Sequence, residues 1–281
     1  MARAKAAAGP IIAAVLCLAS GAAQAESLPL WELGAGVTAI SFPDYRGSNE
    51  RQAWVLPFPY LVYRGEFLQA DERRMRGLFF KTDRLEMDIS INGSVPVESS
   101  ENEARRGMPD LDATLEIGPA LNVLLMQSDD RKTRLELRLP VRAVLASDFT
   151  YVRHVGWIFQ PNISADLRDP LGQAGWNLGV LAGPLYTDQR YNRYVYAVEP
   201  AFATANRPAY SPGGGYAGTQ LIAALSKRYK EFWVGGFVKW DTLGGAAFAD
   251  SPLVRDRQSF AAGFAVAWIL RESKTRVETT R

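Results

Sequence analysis

TRLELRLPVRAVLA, residues 133–146, decides the fold. Leu135, Leu137, Leu139, Val141, Ala143 and Leu145 fall on one parity, and Arg134, Glu136, Arg138 and Arg142 on the other. A period of two is a strand with one apolar and one charged face. Wound as a helix, the same residues would spread charge around the whole circumference. The apolar face must then meet either a second sheet or lipid.

The pattern recurs. In 85–92, Leu85, Met87, Ile89 and Ile91 oppose Glu86, Asp88 and Asn92. In 111–125, Ala113, Leu115, Ile117, Leu121, Val123 and Leu125 oppose Asp112, Thr114, Glu116 and Asn122. In 157–168, Trp157, Phe159, Ile163, Ala165 and Leu167 oppose Gln160, Asn162, Ser164, Asp166 and Arg168. No stretch sustains a helical period, so the chain reads as all-β. Turn residues bound about twelve strands, near 30–41, 52–63, 66–71, 74–81, 84–93, 111–126, 132–146, 155–168, 174–187, 215–228, 231–242 and 259–270. Pro57, Pro59, Pro119, Pro140, Pro161 and Pro184 fall inside these strands. They predict bulges or breaks, since each lacks the N–H that a ladder needs.

The connections sort by length. Those around residues 65, 82, 129, 171 and 230 are brief, whereas 42–51, 94–110, 147–154, 188–214 and 243–258 are long; the link near residue 72 is the exception. An up-and-down meander with this alternation puts all its long loops at one end, as outer-membrane barrels do. A Greek-key sandwich has no reason to sort them. Aromatics gather at both ends: Trp31, Tyr60, Tyr63, Trp176, Tyr229, Phe232, Trp233 and Trp268 near the short turns, and Trp157, Phe159, Tyr186, Tyr216, Trp240 and Phe260 near the long loops. Two such girdles suit the interfaces of a bilayer. The expected architecture is therefore a transmembrane antiparallel β-barrel, with the leucine row toward lipid and the Arg/Glu row toward a lumen.

The N-terminus supports export. Arg3 and Lys5 precede an apolar run from Pro10 to Leu18, then small residues at Ala23 and Ala25, the layout of a leader cleaved after Ala25. Cys17 follows a leucine rather than the small residue of a lipoprotein site. Removing 1–25 takes away the single cysteine and two cations, leaving a balanced chain of 30 basic and 30 acidic residues without a disulfide. Zero net charge gives no basic field for nucleic acid. The expected organisation is a signal peptide over 1–25, a barrel over 26–270 and a polar tail over 271–281, in the outer membrane of a Gram-negative cell in contact with lipid and lipopolysaccharide.

Chemistry is sparse. His154 is the only histidine, with Ser147 and Asp148 near it in sequence, too little for a rim-active hydrolase of serine and histidine. With no mature cysteine and no second histidine, no metal site is expected, and no cofactor or enzymatic role. Glu86, Asp88, Glu116, Arg134, Glu136, Arg138, Arg142, Asp166 and Arg168 share the lumen parity and read as an ion-pair network filling a narrow barrel. In the longest loop, Arg190, Tyr191, Arg193, Tyr194 and Tyr196 interleave; Tyr and Arg are what binding surfaces use, and a loop folded over the mouth reads equally well.

LPLWELGAGVTAISFPDYRGSNERQAWVLPFPYLVYRGEFLQAD (28–71), RRGMPDLDATLEIGPALNV (105–123), GWNLGVLAGPLYTDQRY (175–191), YSPGGGYAG (210–218) and DSPLV (250–254) together resemble the MipA/OmpV family of Gram-negative outer-membrane proteins. The resemblance implies a barrel whose best-described relative is a scaffold joining a lytic transglycosylase to a bifunctional peptidoglycan synthase. Other members are linked to adhesion and stress response, and a small-solute channel is the alternative for the fold. The family brings no catalytic residues. Its chains end on an aromatic in the last strand, whereas here FAAGFAVAWIL is followed by RESKTRVETTR.

Overall fold

A computed structural model describes residues 27–64, 68–70, 75–77, 80–148 and 150–278. The expected leader lies outside the described residues. In chain order the strands are β1 (Ser27–Pro29), β2 (Trp31–Pro43), β3 (Arg51–Arg64), β4 (Leu68–Ala70), β5 (Met75–Gly77), β6 (Phe80–Lys81), β7 (Leu85–Ser94), β8 (Ala113–Gln127), β9 (Thr133–Ser147), β10 (Val152–Phe159), β11 (Asn162–Arg168), β12 (Trp176–Thr187), β13 (Gly215–Arg228), β14 (Phe232–Thr242), β15 (Gln258–Glu272) and β16 (Arg276–Glu278). One helix, α1 (Gln189–Tyr196), sits in the longest loop.

Fourteen strands form one antiparallel sheet among the described residues. Consecutive strands pair, and the last long strand β15 pairs with the first, β2, over Ala262↔Ser41 to Glu272↔Glu32. The hydrogen-bonded path ends at β5 on one side and β6 on the other, segments separated only by residues 78 and 79. The prolines explain why some expected strands appear as two. Pro161 divides the 155–168 strand into β10 and β11, which share the partners β9 and β12. A register shift falls at Pro184, and the β8–β9 ladder skips from Ile117↔Ala143 to Ala120↔Pro140 around Pro119. Pro57 and Pro59 cause no break; β3 pairs with β2 straight through both.

In β9, Glu136, Pro140, Arg142, Val144 and Ala146 are buried, while Val141 on the other parity is exposed. The charged row faces the interior. Exposed residues Val37, Val55, Leu61, Leu115, Leu221, Val238, Phe264 and Leu270 continue the apolar outer face around the sheet. Trp157, Phe159, Tyr186 and Phe260 are exposed toward the long loops, and Tyr229, Phe232 and Trp268 toward the short turns. Tyr60 and Trp233 depart from the expected girdle: they turn inward and pack 6.1 Å apart.

The largest apolar core lies in the cap rather than the sheet. Loops 44–50, 95–112, 188–214 and 243–257 bring Tyr45, Leu111, Val195, Tyr196, Leu243, Phe248 and Leu253 together over the strand ends, where Val144, Ala146, Val155 and Ile158 complete the cluster. The inner row of β9 therefore changes along its length, from charged near the short turns to apolar beneath the cap.

The polar tail does not simply leave the sheet. β16 pairs with β1, Leu28↔Val277 at its centre, and Ser273 N–H donates to the Trp31 carbonyl at 2.9 Å. Residues 27–29 and 276–278 are thus tied together at the short-turn end.

Candidate functional site

The interior is organised in tiers. Nearest the short turns, Glu32 is fully buried between two arginines. Arg228 Nε donates to Glu32 Oε2 at 2.8 Å, and Arg64 Nη1 lies 2.8 Å from Oε1. The second contact is a close charge pair rather than an aligned hydrogen bond, because Arg64 Nη1 donates to the Pro29 carbonyl at 2.8 Å. Arg228 also reaches Glu272, at 3.3 Å, and Arg276 lies 3.7 Å from the same carboxylate. This cluster joins β2, β3, β13, β15 and β16.

Also near the short turns, beside Thr82, Arg84 and Arg131, Arg134 Nε donates to Glu136 Oε1 at 2.6 Å, with Glu86 4.0 Å away. Asp166 is registered opposite Arg134, with Arg168 on the same inner face of β11. Arg138 Nε donates to Asn122 Oδ1 at 2.9 Å. Asp88 is fully buried on the inner face of β7. Above it, Arg142 is a hub: its guanidinium donates to Glu116 Oε2 (2.8 Å), Gln160 Oε1 (2.6 Å) and Ser90 Oγ (3.2 Å). Asn92 adds a bond to Glu116 at 3.3 Å, and Gln160 donates to Gln220 at 2.8 Å. Under the cap, Asp241 is shared by Arg46 (3.1 Å) and Lys239 (3.2 Å).

The interior is not filled. A cavity of about 410 Å³ beneath the cap is lined by Phe42, Arg46, Asn92, Arg142, Tyr191 and Lys239 among others. Another of about 360 Å³ lies lower, by Arg138, Asp166 and Ser226. The Arg142 hub borders the upper one.

The tyrosines of the long loop are mostly spent on the cap. Tyr196 stacks on Phe248 at 3.7 Å between centroids, and its hydroxyl donates to the Arg46 carbonyl. Tyr194 OH accepts the Asp112 N–H at 2.8 Å. Tyr45 donates to the Leu253 carbonyl, and burial pushes its hydroxyl up to about 12. Burial likewise raises Tyr191, Tyr194 and Tyr196. Helix α1 starts where Asp188 accepts the Tyr191 N–H, a capping geometry that also takes the Trp157 N–H. Arg105 and Arg207 lace the loops together through carbonyls, Arg105 to Val195 and Arg207 to Ala104 and Arg106. Burial draws the Arg105 guanidinium below its usual value. Arg190 and Arg193 remain outside, against His154 (3.3 Å) and Glu199 (3.5 Å).

His154 packs on Trp157 as well, and the Asp148 carboxylate is engaged by Thr150 and Tyr151. Among the described residues no three acidic, histidine or cysteine side chains are placed to hold a metal. No described helix is long and apolar enough to cross a membrane, which says nothing of crossing by strands.

Sequence reasoning missed the Glu32–Arg64–Arg228 cluster and the Arg46–Asp241–Lys239 trio. The one signal in the sequence was Glu32, a lone acid on the inner parity of the otherwise apolar β2, whereas Arg46 sits in a loop.

A rolled antiparallel sheet, apolar outside, charged within and capped by its long loops, is the class that fold and interior define. The chain belongs to the MipA family: the family described as MltA-interacting protein MipA matches residues 35–270. No curated protein matches the sequence. Among solved structures, a bacterial polysaccharide outer membrane secretin is similar at 8% identity, over 85% of this chain and 99% of the other, with a TM-score of 0.38. The toluene transporter TodX of P. putida is similar at 12% identity, over 88% and 68%, with a TM-score of 0.25. A mutant porin of Rh. blastica follows at 9% identity, over 85% and 100%, with a TM-score of 0.14.

Proposed function

We propose that the protein is a twelve-stranded outer-membrane barrel without catalytic activity, and that its short-turn end, facing the periplasm, holds a lytic transglycosylase of the MltA kind together with a peptidoglycan synthase. Counting β5 with β6 and β10 with β11 gives the twelve strands. The family's description as MltA-interacting supports the transglycosylase as partner. The observation that carries the reading is the build of that end. The β1–β16 ribbon, the Glu32 cluster and the Lys132–Asp169 bridge (2.8 Å) between two neighbouring turns hold short pieces in one rigid platform. Single turns are too small for a standard interface of about 800 Å² per partner. Arg131, Lys230, Arg271 and Lys274 are exposed at that end.

The test uses the full chain in lipid nanodiscs and a purified MltA-type lytic transglycosylase. Wild type should retain the transglycosylase above an unrelated barrel, and a chain ending at Glu272 should retain at least tenfold less. Retention equal to the unrelated barrel would sink the scaffold reading.

Membrane insertion has its own test at Leu137, on the outer row of β9. Leu137→Arg should cost about 2–4 kcal/mol near the bilayer midplane, and Arg138→Leu should cost far less in lipid contact. Urea titrations in phospholipid vesicles read the difference. Equal midpoints would contradict lipid on that face.

A further inference from the structure

A continuous polar belt crosses the inner wall beneath the cap. Glu116 on β8 accepts from Arg142 on β9 at 2.8 Å, Arg142 donates to Gln160 at 2.6 Å, and Gln160 donates to Gln220 on β13 at 2.8 Å. Gln220 is registered directly opposite Asp241 on β14, where Arg46 and Lys239 close the row. The belt lines the cavity of about 410 Å³ already described. Pockets for small ligands run from roughly 300 to 1,000 Å³.

The bonds within the belt leave particular groups unused. Arg142 is taken up by Glu116, Gln160 and Ser90. Both bonds to Glu116, from Arg142 and Asn92, fall on Oε2, so Oε1 has no donor among the described residues. Gln220 is bonded through Oε1, which leaves its amide hydrogens for another acceptor. Arg46 and Lys239 share the Asp241 carboxylate, at 3.1 and 3.2 Å, and neither meets a second carboxylate among the described residues. That end of the belt therefore sets two cations against one anion. The remaining acids of the lining are engaged elsewhere, Asp44 by Asn102 and Asp112 by Arg153.

Two aromatic side chains complete the cavity. Tyr191, on α1, has its hydroxyl within electrostatic reach of Glu116, Arg46 and Arg142, at both ends of the belt. That hydroxyl has no hydrogen-bond partner among the described residues. Phe237 stands two positions before Lys239 on the inner face of β14. A Cβ at Gly263, its cross-strand partner on β15, would come within 2.6 Å of the Phe237 ring, so glycine is what lets the ring lie against that wall. The ring borders both interior cavities.

We propose that the cavity under the cap is a binding site for a small sugar carboxylate. Its carboxylate sits between Arg46 and Lys239, its hydroxyls meet Glu116 Oε1, the Gln220 amide and the Tyr191 hydroxyl, and the apolar face of its ring lies on Phe237. A neutral sugar leaves the surplus cation unmatched, and charge-assisted bonds are the stronger ones. A plain acid answers the cations but covers Glu116 and Gln220 without partners, which costs affinity. Both groups are held in place by the belt before any ligand arrives, so little ordering remains to oppose binding. The site lies at the long-loop end and does not depend on a periplasmic partner.

The experiment is isothermal titration of the full chain in lipid nanodiscs with D-glucuronate, D-glucose and acetate. Wild type should bind glucuronate saturably, at one site per chain, and at least tenfold more tightly than either glucose or acetate. Lys239→Met, which leaves Asp241 its partner Arg46, should lose the preference for glucuronate over glucose. Phe237→Leu, which keeps bulk but no flat face, should weaken glucuronate binding severalfold and keep that preference. Heat-dependent gel mobility confirms folding, and Arg46→Gln serves if the Lys239 variant does not fold. Absence of saturable glucuronate binding at millimolar concentration would overturn the proposal. So would glucose or acetate binding as tightly as glucuronate, or wild-type affinity in both variants, which would put the sugar elsewhere on the chain.

Discussion

Glu32→Ala is expected to cost about 3–5 kcal/mol of folding stability, the range for removing one partner of a buried ion pair. Glu32 is fully buried and serves two guanidiniums, Arg64 and Arg228, whose side chains are 5% and 25% exposed. Without it, Arg64 loses its acidic partner and Arg228 keeps only Glu272. Glu272 could take up Arg228, but at 42% exposure it is screened and leaves Arg64 alone. Glu272→Ala should accordingly cost less than about 1 kcal/mol. Glu32→Gln should fall between the two, since an amide keeps the bond from Arg228 and loses the charge. Urea titration in vesicles measures all three. A Glu32→Ala variant within 1 kcal/mol of wild type would mean that water, not Glu32, solvates the arginines. The cluster would then not stiffen the platform on which the proposed scaffold depends.

The inner and outer faces were legible from residues 133–146 because a strand's two faces are a strictly local property. Alternation fixed which side Arg142 and Leu137 occupy, and the structure keeps that parity through β9. Proline chemistry was legible in kind but not in place. Pro161 and Pro184 disrupt strands because they lie between two partners, whereas the β2–β3 ladder runs unbroken through Pro57 and Pro59.

What the sequence hid is non-local. Residues 32, 64 and 228 meet because β2 lies next to β3 while Arg228 reaches in from β13, and no local pattern brings them together. Helix α1 is 8 residues long, about two turns, too short to show a period above the background of a Tyr/Arg-rich loop. The same tyrosines read equally well from composition as a binding surface or as a loop folded over the mouth. Tyr196, at 2% exposure, stacked on Phe248 and bonded to Arg46, packs in the cap. Composition reports residue types, and only the fold says whether an aromatic is offered or consumed.

Arg142→Ala should cost a comparable amount, about 3–5 kcal/mol, for the opposite reason: it strands an anion. Arg142 is 4% exposed, and Glu116, at 8%, takes its Nε at 2.8 Å. Gln160 also loses the donor that orients it toward Gln220. The ion pair itself need not favour folding, because desolvation of two charges offsets much of their attraction. Replacing both, as Arg142→Met with Glu116→Leu, should recover most of the loss and could match wild type. The double-mutant cycle separates these terms, with a coupling of roughly 1–3 kcal/mol expected between contacting residues. The same pair of proteins tests the interior as a passage. With the hub emptied, the upper cavity loses its charged floor, so conductance in planar bilayers should rise in the double variant over wild type. If the double variant is no more stable than Arg142→Ala, the loss comes from the bonds to Gln160 and Ser90 rather than from stranding Glu116. The barrel interior would then be organised by its neutral polar groups, with the charges secondary.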